Sequence, residues 1–237
     1  MATGGGAGRH ARPAGMRAPT DRARSPGHVE SLVSDPRLVE ARRGQVVRAA
    51  VKLFAAHGYY TTTIQQIARE AGVSTGLVYQ YFHDKDDVLL LALMLVIDSY
   101  EQEIPPQLEG INHPVERLCV AIRTYCAIVD RWRDATVLTY RSTKSLRPDR
   151  RALIMEGETR TNRILEACIL ACVEDGHMRP VNEQLLAYSH VMFCHAWALK
   201  HWALGERYSL DQYVREGLHL LVDPYLTEKG LAARATR

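Results

Sequence analysis

From Leu38 onward, apolar residues return every three or four positions in one segment after another, and no run alternates apolar with polar residues. That period lays a stripe along a helix, whereas a strand needs a period of two. The chain is therefore read as all-α. Val47, Ala50, Val51 and Phe54 mark a first helix, which Gly58 closes because glycine tolerates the left-handed conformation at a helix end. A short second helix from about Thr63 to Ala71 carries Ile64, Ile67 and Ala68 on one side. Thr62 with Gln65, and Thr63 with Gln66, both fit a capping box at its start. After Gly72 a third helix runs from Ser74 to about Tyr81. The fourth, from near Lys85 through Tyr100, is apolar on nearly every side, as a helix held between layers must be, and Pro105-Pro106 are expected to stop it. Further helices are expected from Pro114, around 134–146, from Pro148 to about Asp175, over 182–204 and over 209–226, which makes about nine without an internal repeat.

Composition narrows the class. At 46% hydrophobic, the 237 residues can bury a core, yet the most apolar uncharged run, Val88 to Ile97, is too short for the roughly 20 residues a bilayer requires. No membrane partner is expected. Lys plus Arg number 30 against 27 acids, a net +3. This excludes a polycation but leaves room for one local basic surface. Five cysteines, an odd count with no C-x-x-C pair, point to reduced thiols and a cytoplasmic protein, and the N-terminus lacks the apolar segment of a signal peptide. Residues 1–28 carry Arg9, Arg12, Arg17, Arg22 and Arg24 against Asp21. They are read as part of a disordered basic tail over 1–36, either a solvated leader or an arm that touches DNA.

The second and third helices, joined by a tight glycine turn, form a helix-turn-helix. Such a unit places its second helix in the major groove while the first crosses the backbone. Thr62 and Thr63 stand at a helix start, where hydroxyls and free N–H groups can hold a DNA phosphate. Ser74, Thr75 and Gly76 open the recognition helix, the end that reaches base edges, and Gly76 allows close backbone approach. Gln80 is the expected base reader, since Gln pairs bidentately with adenine. The recognition helix has no Lys or Arg, so phosphate neutralisation is expected from Arg42, Arg43, Arg48, Lys52 and Lys85.

Gly58-Tyr59, Thr61-Thr62-Thr63-Ile64-Gln65-Gln66-Ile67-Ala68, Ala71-Gly72-Val73-Ser74 and Gly76-Leu77-Val78-Tyr79-Gln80-Tyr81-Phe82-His83-Asp84-Lys85 follow in order. Over about residues 42–90 this stretch resembles the DNA-binding domain of the tetracycline-repressor (TetR) family of bacterial transcription regulators. The resemblance implies that Tyr79 contacts a phosphate, with Tyr81 and Lys85 as further backbone contacts. It divides the chain into a reading unit over 37–84, an effector-binding and dimerisation domain over 85–227, and a flexible tail over 228–237.

In the larger domain the 182–204 helix is apolar almost all round and the final helix has an apolar side. Paired with their twofold copies they make a four-helix interface, so a homodimer is expected. The resemblance implies a pocket for a small apolar or amphipathic effector whose binding releases double-stranded DNA, with repression as the expected mode and no cofactor or metal. Candidate pocket residues are Cys119, Ile122, Tyr125, Tyr140, Ile164, Cys168, His190 and Cys194. Arg141, Lys144, Arg147, Arg150 and Arg151 are opposed in their stretch only by Asp149; they are read as a solvated face or a phosphate clamp for an acyl-CoA thioester. The Tyr140–Leu146 run and the Trp197/Trp202 helix look similar to regulators of lipid and sterol breakdown. An enzyme is disfavoured, since no H-E-x-x-H, G-x-S-x-G or P-loop occurs. A metal- or thiol-responsive regulator using His190 and Cys194, and a ligand-binding dimer without DNA binding, are the alternatives.

Overall fold

A computed structural model describes residues 29–235, and these are helical almost throughout. α1 (Pro36–His57) begins with Pro at N1 behind Asp35, whose carboxylate accepts from the Arg37 and Leu38 amides, and ends at Gly58 with φ 84°. α2 (Ile64–Glu70) and α3 (Thr75–Tyr81) pack on α1 through Val46, Ala50, Phe54, Ile67 and Val78, each at most 2% exposed. Each of the larger side chains among these contributes roughly 1.5–3 kcal/mol by leaving water. Between two candidate capping boxes the structure selects Thr63 with Gln66.

α4 (Lys85–Gln107) starts on an Asp84 cap and runs through the middle of the molecule, with Val88, Leu89, Leu93 and Met94 fully buried. It passes through Pro105 and Pro106 instead of stopping before them, and Gly110, at φ 74°, lies just beyond its end. In the last turn, missing amides and ring bulk disturb only one turn of the helix, which is why the prolines do not end it.

Around α4 pack α5 (Pro114–Arg131), α6 (Arg133–Ser142) with a following 3-10 turn, α7 (Pro148–Glu174) and α8 (Glu183–Leu199). The expected 182–204 helix breaks at Lys200 (φ −120°, ψ 22°), leaving α9 (His201–Leu204) as a single turn. α10 (Leu210–Leu221) opens on a Ser209–Gln212 capping box and lies on α5, with a 3-10 turn at Pro224 after it. Tyr213 stacks on Phe193 at 4.3 Å and donates to the Phe193 carbonyl at 2.7 Å, which binds α10 to α8.

Two expected tails need correction. Residues 29–32 are anchored to the fold, with Val29 buried and the Leu32 amide and Ser31 hydroxyl donating to the Gln80 carbonyl, although Glu30, Leu32, Ser34 and Asp35 are exposed; residues 1–28 of the 1–36 tail lie outside the described residues. Glu228–Ala235 form α11 where a flexible end was expected. Lys229 reaches the Asp175 carbonyl at 2.6 Å, an anchor distant in sequence, and Arg234 pairs with Asp223 of the preceding 3-10 turn at 2.7 Å.

Candidate DNA interface and ligand cavity

α1 and α4 hold the helix-turn-helix. Thr63 is exposed, and its hydroxyl accepts from the Gln66 amide at 3.2 Å while the Gln66 side chain accepts from the Thr63 amide at 2.8 Å. Ser74 caps α3 by accepting from the Leu77 amide at 3.1 Å. Ser74, Gly76, Tyr79 and Gln80 are exposed and Thr75 is half-buried, so the outer face of α3 is a polar surface with one aromatic ring. A Cβ built on Gly76 would meet no protein atom closer than 4.0 Å, so the protein's own packing does not require glycine there.

Four expected DNA contacts are turned inward. Thr62 is 1% exposed and donates to the Gly58 carbonyl at 2.8 Å, tying the turn before α2 to the end of α1. Tyr81 is 2% exposed and belongs to the core. Arg43 donates to the carbonyls of Tyr81 and Val29. The Lys85 ammonium lies over the Tyr59 ring and donates to the carbonyls of Tyr59 at 2.8 Å, Thr62 at 3.0 Å and Tyr60 at 3.4 Å, which occupies its three donors. Backbone carbonyls left without a ladder partner, in the turn before α2, at the end of α3 and in the entering segment, need donors, and these two cations supply them. Residue spacing shows which face a side chain is on but not whether a nearby carbonyl has already claimed it.

The second feature is a cavity of about 360 Å³ enclosed by α4, α5, α6, α7 and α8. Tyr100 and Tyr125 stack at 3.9 Å along one wall. His195 holds their hydroxyls, with Nε2 at 3.3 Å from Tyr100 and 3.2 Å from Tyr125, while its Nδ1 lies 2.7 Å from the Tyr140 hydroxyl. Removal from bulk water pushes the His195 imidazole down to about 4 and the phenols of Tyr100 and Tyr125 well up. At neutral pH the four rings are therefore uncharged, and one imidazole nitrogen donates while the other accepts. Thr139, Thr143, Glu158, Thr161 and Asn162 add polar groups, and Val96, Ile97, Val191 and Met192 give an apolar side.

Of the expected pocket residues, Tyr125, Tyr140 and Lys144 line this cavity. The others do not. Ile122 and Cys194 are at most 1% exposed in the core, and Cys194 is hydrogen-bonded to Cys126. His190 is 1% exposed and its Nδ1 meets the Leu186 carbonyl at 2.6 Å. Cys168 is buried and Ile164 packs against the core, while Arg141 is exposed off the cavity. Cys119 lies elsewhere, with Arg234 at 3.1 Å from its sulfur. On α8 the lining face is Tyr188, Val191, Met192 and His195, spaced 3, 4 and 7 apart; His190 and Cys194 share the adjoining face, about 100° round the helix. An all-round apolar helix gives no stripe by which to choose between them. The legible clue was polarity, since Thr161 and Asn162 are buried polar residues on α7.

The basic cluster is divided. Lys144 stands at the cavity, Arg147 approaches Asp149 at 3.8 Å, and Arg150 turns away to pair with Asp87 and Asp84 at the start of α4.

Known proteins match both halves. Residues 46–92 fit the family described as bacterial regulatory proteins, tetR family, and residues 112–202 fit the tetracyclin repressor-like C-terminal domain. The chain is 67% identical over 207 residues to the HTH-type transcriptional regulator HbdR of Aromatoleum sp. (strain CIB), covering 87% of this chain and 90% of that one. It is 21% identical over 179 residues to the fatty acid metabolism regulator protein of Bacillus subtilis (strain 168), covering 75% and 92%. The crystal structure of AibR in complex with isovaleryl coenzyme A and operator DNA shares its fold, with a TM-score of 0.66, 22% identity, and coverage of 76% of this chain and 97% of that one.

Proposed function

The chain belongs to the TetR family of bacterial transcription regulators, and on that premise we propose how its two halves act together. It is a DNA-binding regulator that responds to a ligand. Residues 37–84 are the reading unit and 85–227 the sensing and pairing unit. The protein binds a palindromic operator as a homodimer, as a repressor, and leaves it when an effector fills the cavity. Leu185 on α8, Trp202 on α9 and Leu220 on α10 are between 65% and 74% exposed. An apolar surface of that extent on adjoining helices supports pairing with a second copy.

The observation that carries the reading is the path from cavity to reading head. The cavity is lined by α6, the 3-10 turn and α7; α7 reaches the start of α4 through Arg150, and Lys85 of α4 holds the turn before α2. A ligand shifts such a system only if it fits one arrangement better than the other. A cavity of about 360 Å³ with an apolar side has room for an acyl group. With Lys144 at the cavity and Arg141 exposed nearby in sequence, we assign the effector as an acyl-CoA thioester whose phosphates stay outside. The test is to titrate the operator complex with a panel of acyl-CoA esters, the matching free acids and CoA alone. Release by a thioester, at concentrations where its acid and CoA leave the complex intact, supports the assignment. Equal potency of ester and acid removes it.

A further inference from the structure

The wall of the effector cavity is open on one side. Tyr140, Tyr188 and Met192 line it and are 46%, 45% and 49% exposed, whereas Val96, Ile97, Tyr100, Tyr125 and Val191 are buried. Lys144 and Glu158 are the remaining exposed lining residues. The rim therefore has two arcs. One is apolar and aromatic, carried by α8 and the Tyr140 ring of α6. The other is charged, carried by the 3-10 turn after α6 and by α7. An acyl group in this cavity would meet water along the apolar arc, yet small-molecule sites bury roughly 70–90% of their ligand.

The apolar arc continues into an uncharged outer face of α8. From Gln184 to Leu199 no residue is Asp, Glu, Lys or Arg, and Leu185, Ser189 and Met192, spaced four and three apart, are exposed along one side. Neighbouring helices present charge to water instead, with Glu156 and Arg163 exposed on α7 and Asp211, Arg215 and Glu216 on α10. An uncharged face of this kind on a helix that pairs with its own copy is self-complementary, as a twofold contact requires. Leu185, in the pairing surface, stands two turns from Met192. Met192 thus belongs to the cavity and to the pairing face at once. On the cavity side its sulfur lies 3.5 Å from the Tyr140 hydroxyl, which is 2.7 Å from His195 Nδ1.

We propose that a second copy of the chain completes the cavity. In the homodimer the α8 helix of the partner lies across Tyr188 and Met192, so a bound acyl group is enclosed by both protomers. Lys144 and Glu158 stay in water, since covering charged groups is costly, and their arc is the way in. The inference rests on the homodimer reading and adds that the interface reaches the effector. Filling the cavity then displaces Met192, an adaptable side chain, directly against the partner.

The native cysteines are all buried, so an introduced surface thiol can be followed by its rate of alkylation with N-ethylmaleimide. Three full-chain variants are compared: Met192→Cys at the rim, Ser189→Cys on the pairing face but off the cavity, and Met155→Cys, at a position 58% exposed on α7. Sedimentation under the same conditions reports whether each variant and the parent chain are dimers. The Met192→Cys and Ser189→Cys thiols should both react at least about tenfold more slowly than the Met155→Cys thiol, and the three rates should converge in urea. A dimer in which Ser189→Cys is slow but Met192→Cys reacts as fast as Met155→Cys would overturn the closure and leave pairing through α8 standing. A dimer in which both react as fast would overturn the closure and move pairing off this face. A parent chain that sediments as a monomer would overturn the homodimer and the closure together.

Discussion

Arg150, in the first turn of α7, pairs with Asp87 in the first turn of α4, and Asp87 is 1% exposed. A cation in the first turn of a helix opposes the helix dipole, whereas a carboxylate there is favoured. The pair between α7 and α4, and not α7 itself, accounts for an arginine at this position. It is also a direct ionic link between the sensing helices and the helix that supports the reading head.

Arg150→Ala leaves Asp87 buried without its cation, and removing one partner of such a pair costs about 3–5 kcal/mol. Equilibrium denaturation should show the loss as a lower midpoint. A midpoint unchanged from the parent chain would mean that the ion pair adds nothing to the fold.

Asp98 is half-buried, with one carboxylate oxygen unpartnered; burial raises its carboxyl to about 6, and Glu101 adds to the effect against Arg160. The folded state therefore binds more protons than the unfolded state between about pH 4 and 6, and stability from this group falls as pH rises through that window. Asp98→Asn should be more stable than the parent at pH 7, with the advantage disappearing near pH 4. A gain of equal size at both values would contradict the assignment.

His195 has the opposite sign. Its imidazole is held at about 4 against an ordinary 6.5, so the folded state binds fewer protons in that interval and loses stability as pH falls through it. His195→Gln should flatten part of the acid limb of the stability curve while weakening effector binding at pH 7. The checks are thermal melts from pH 7 to 4 and an effector titration. An unchanged acid limb would place His195 outside the buried network.

The starts of α2 and α3, and with them the reading unit, were legible because caps, glycines and apolar spacing are local: Thr63 and Ser74 each cap the helix that follows. The destinations of Lys85, Arg43 and Tyr81 were not, because they depend on carbonyls that only the folded chain brings near. The cavity was legible only in part. Tyr125, Tyr140 and Lys144 lie on it, but on α8 the choice between Cys194 and its neighbour His195 turns on helix rotation. The break at Lys200 and the docking of α11 are likewise set by tertiary contacts, among them Arg234 with Asp223.

Lys85 and Gln80 should separate stability from recognition. Lys85→Met removes three donors from the loop before α2 and should lower the melting temperature without changing the salt slope of DNA binding. Gln80→Ala, on an exposed side chain, should leave the melting temperature alone and relax preference at one base position by about 1–3 kcal/mol. The reverse pattern would return Lys85 to the phosphate backbone and remove Gln80 from base reading.

The central claim is that a pair of these chains reads DNA through α3. Its most direct test is selection of bound duplexes from a random library, followed by titration of the selected sequence against its scrambled counterpart at two salt concentrations. The account predicts a palindrome whose half-sites are centred about 10–10.5 base pairs apart, or a multiple of that, bound tightly, with salt-sensitive affinity, and in preference to the scramble. Weak binding of equal strength to both duplexes would contradict it.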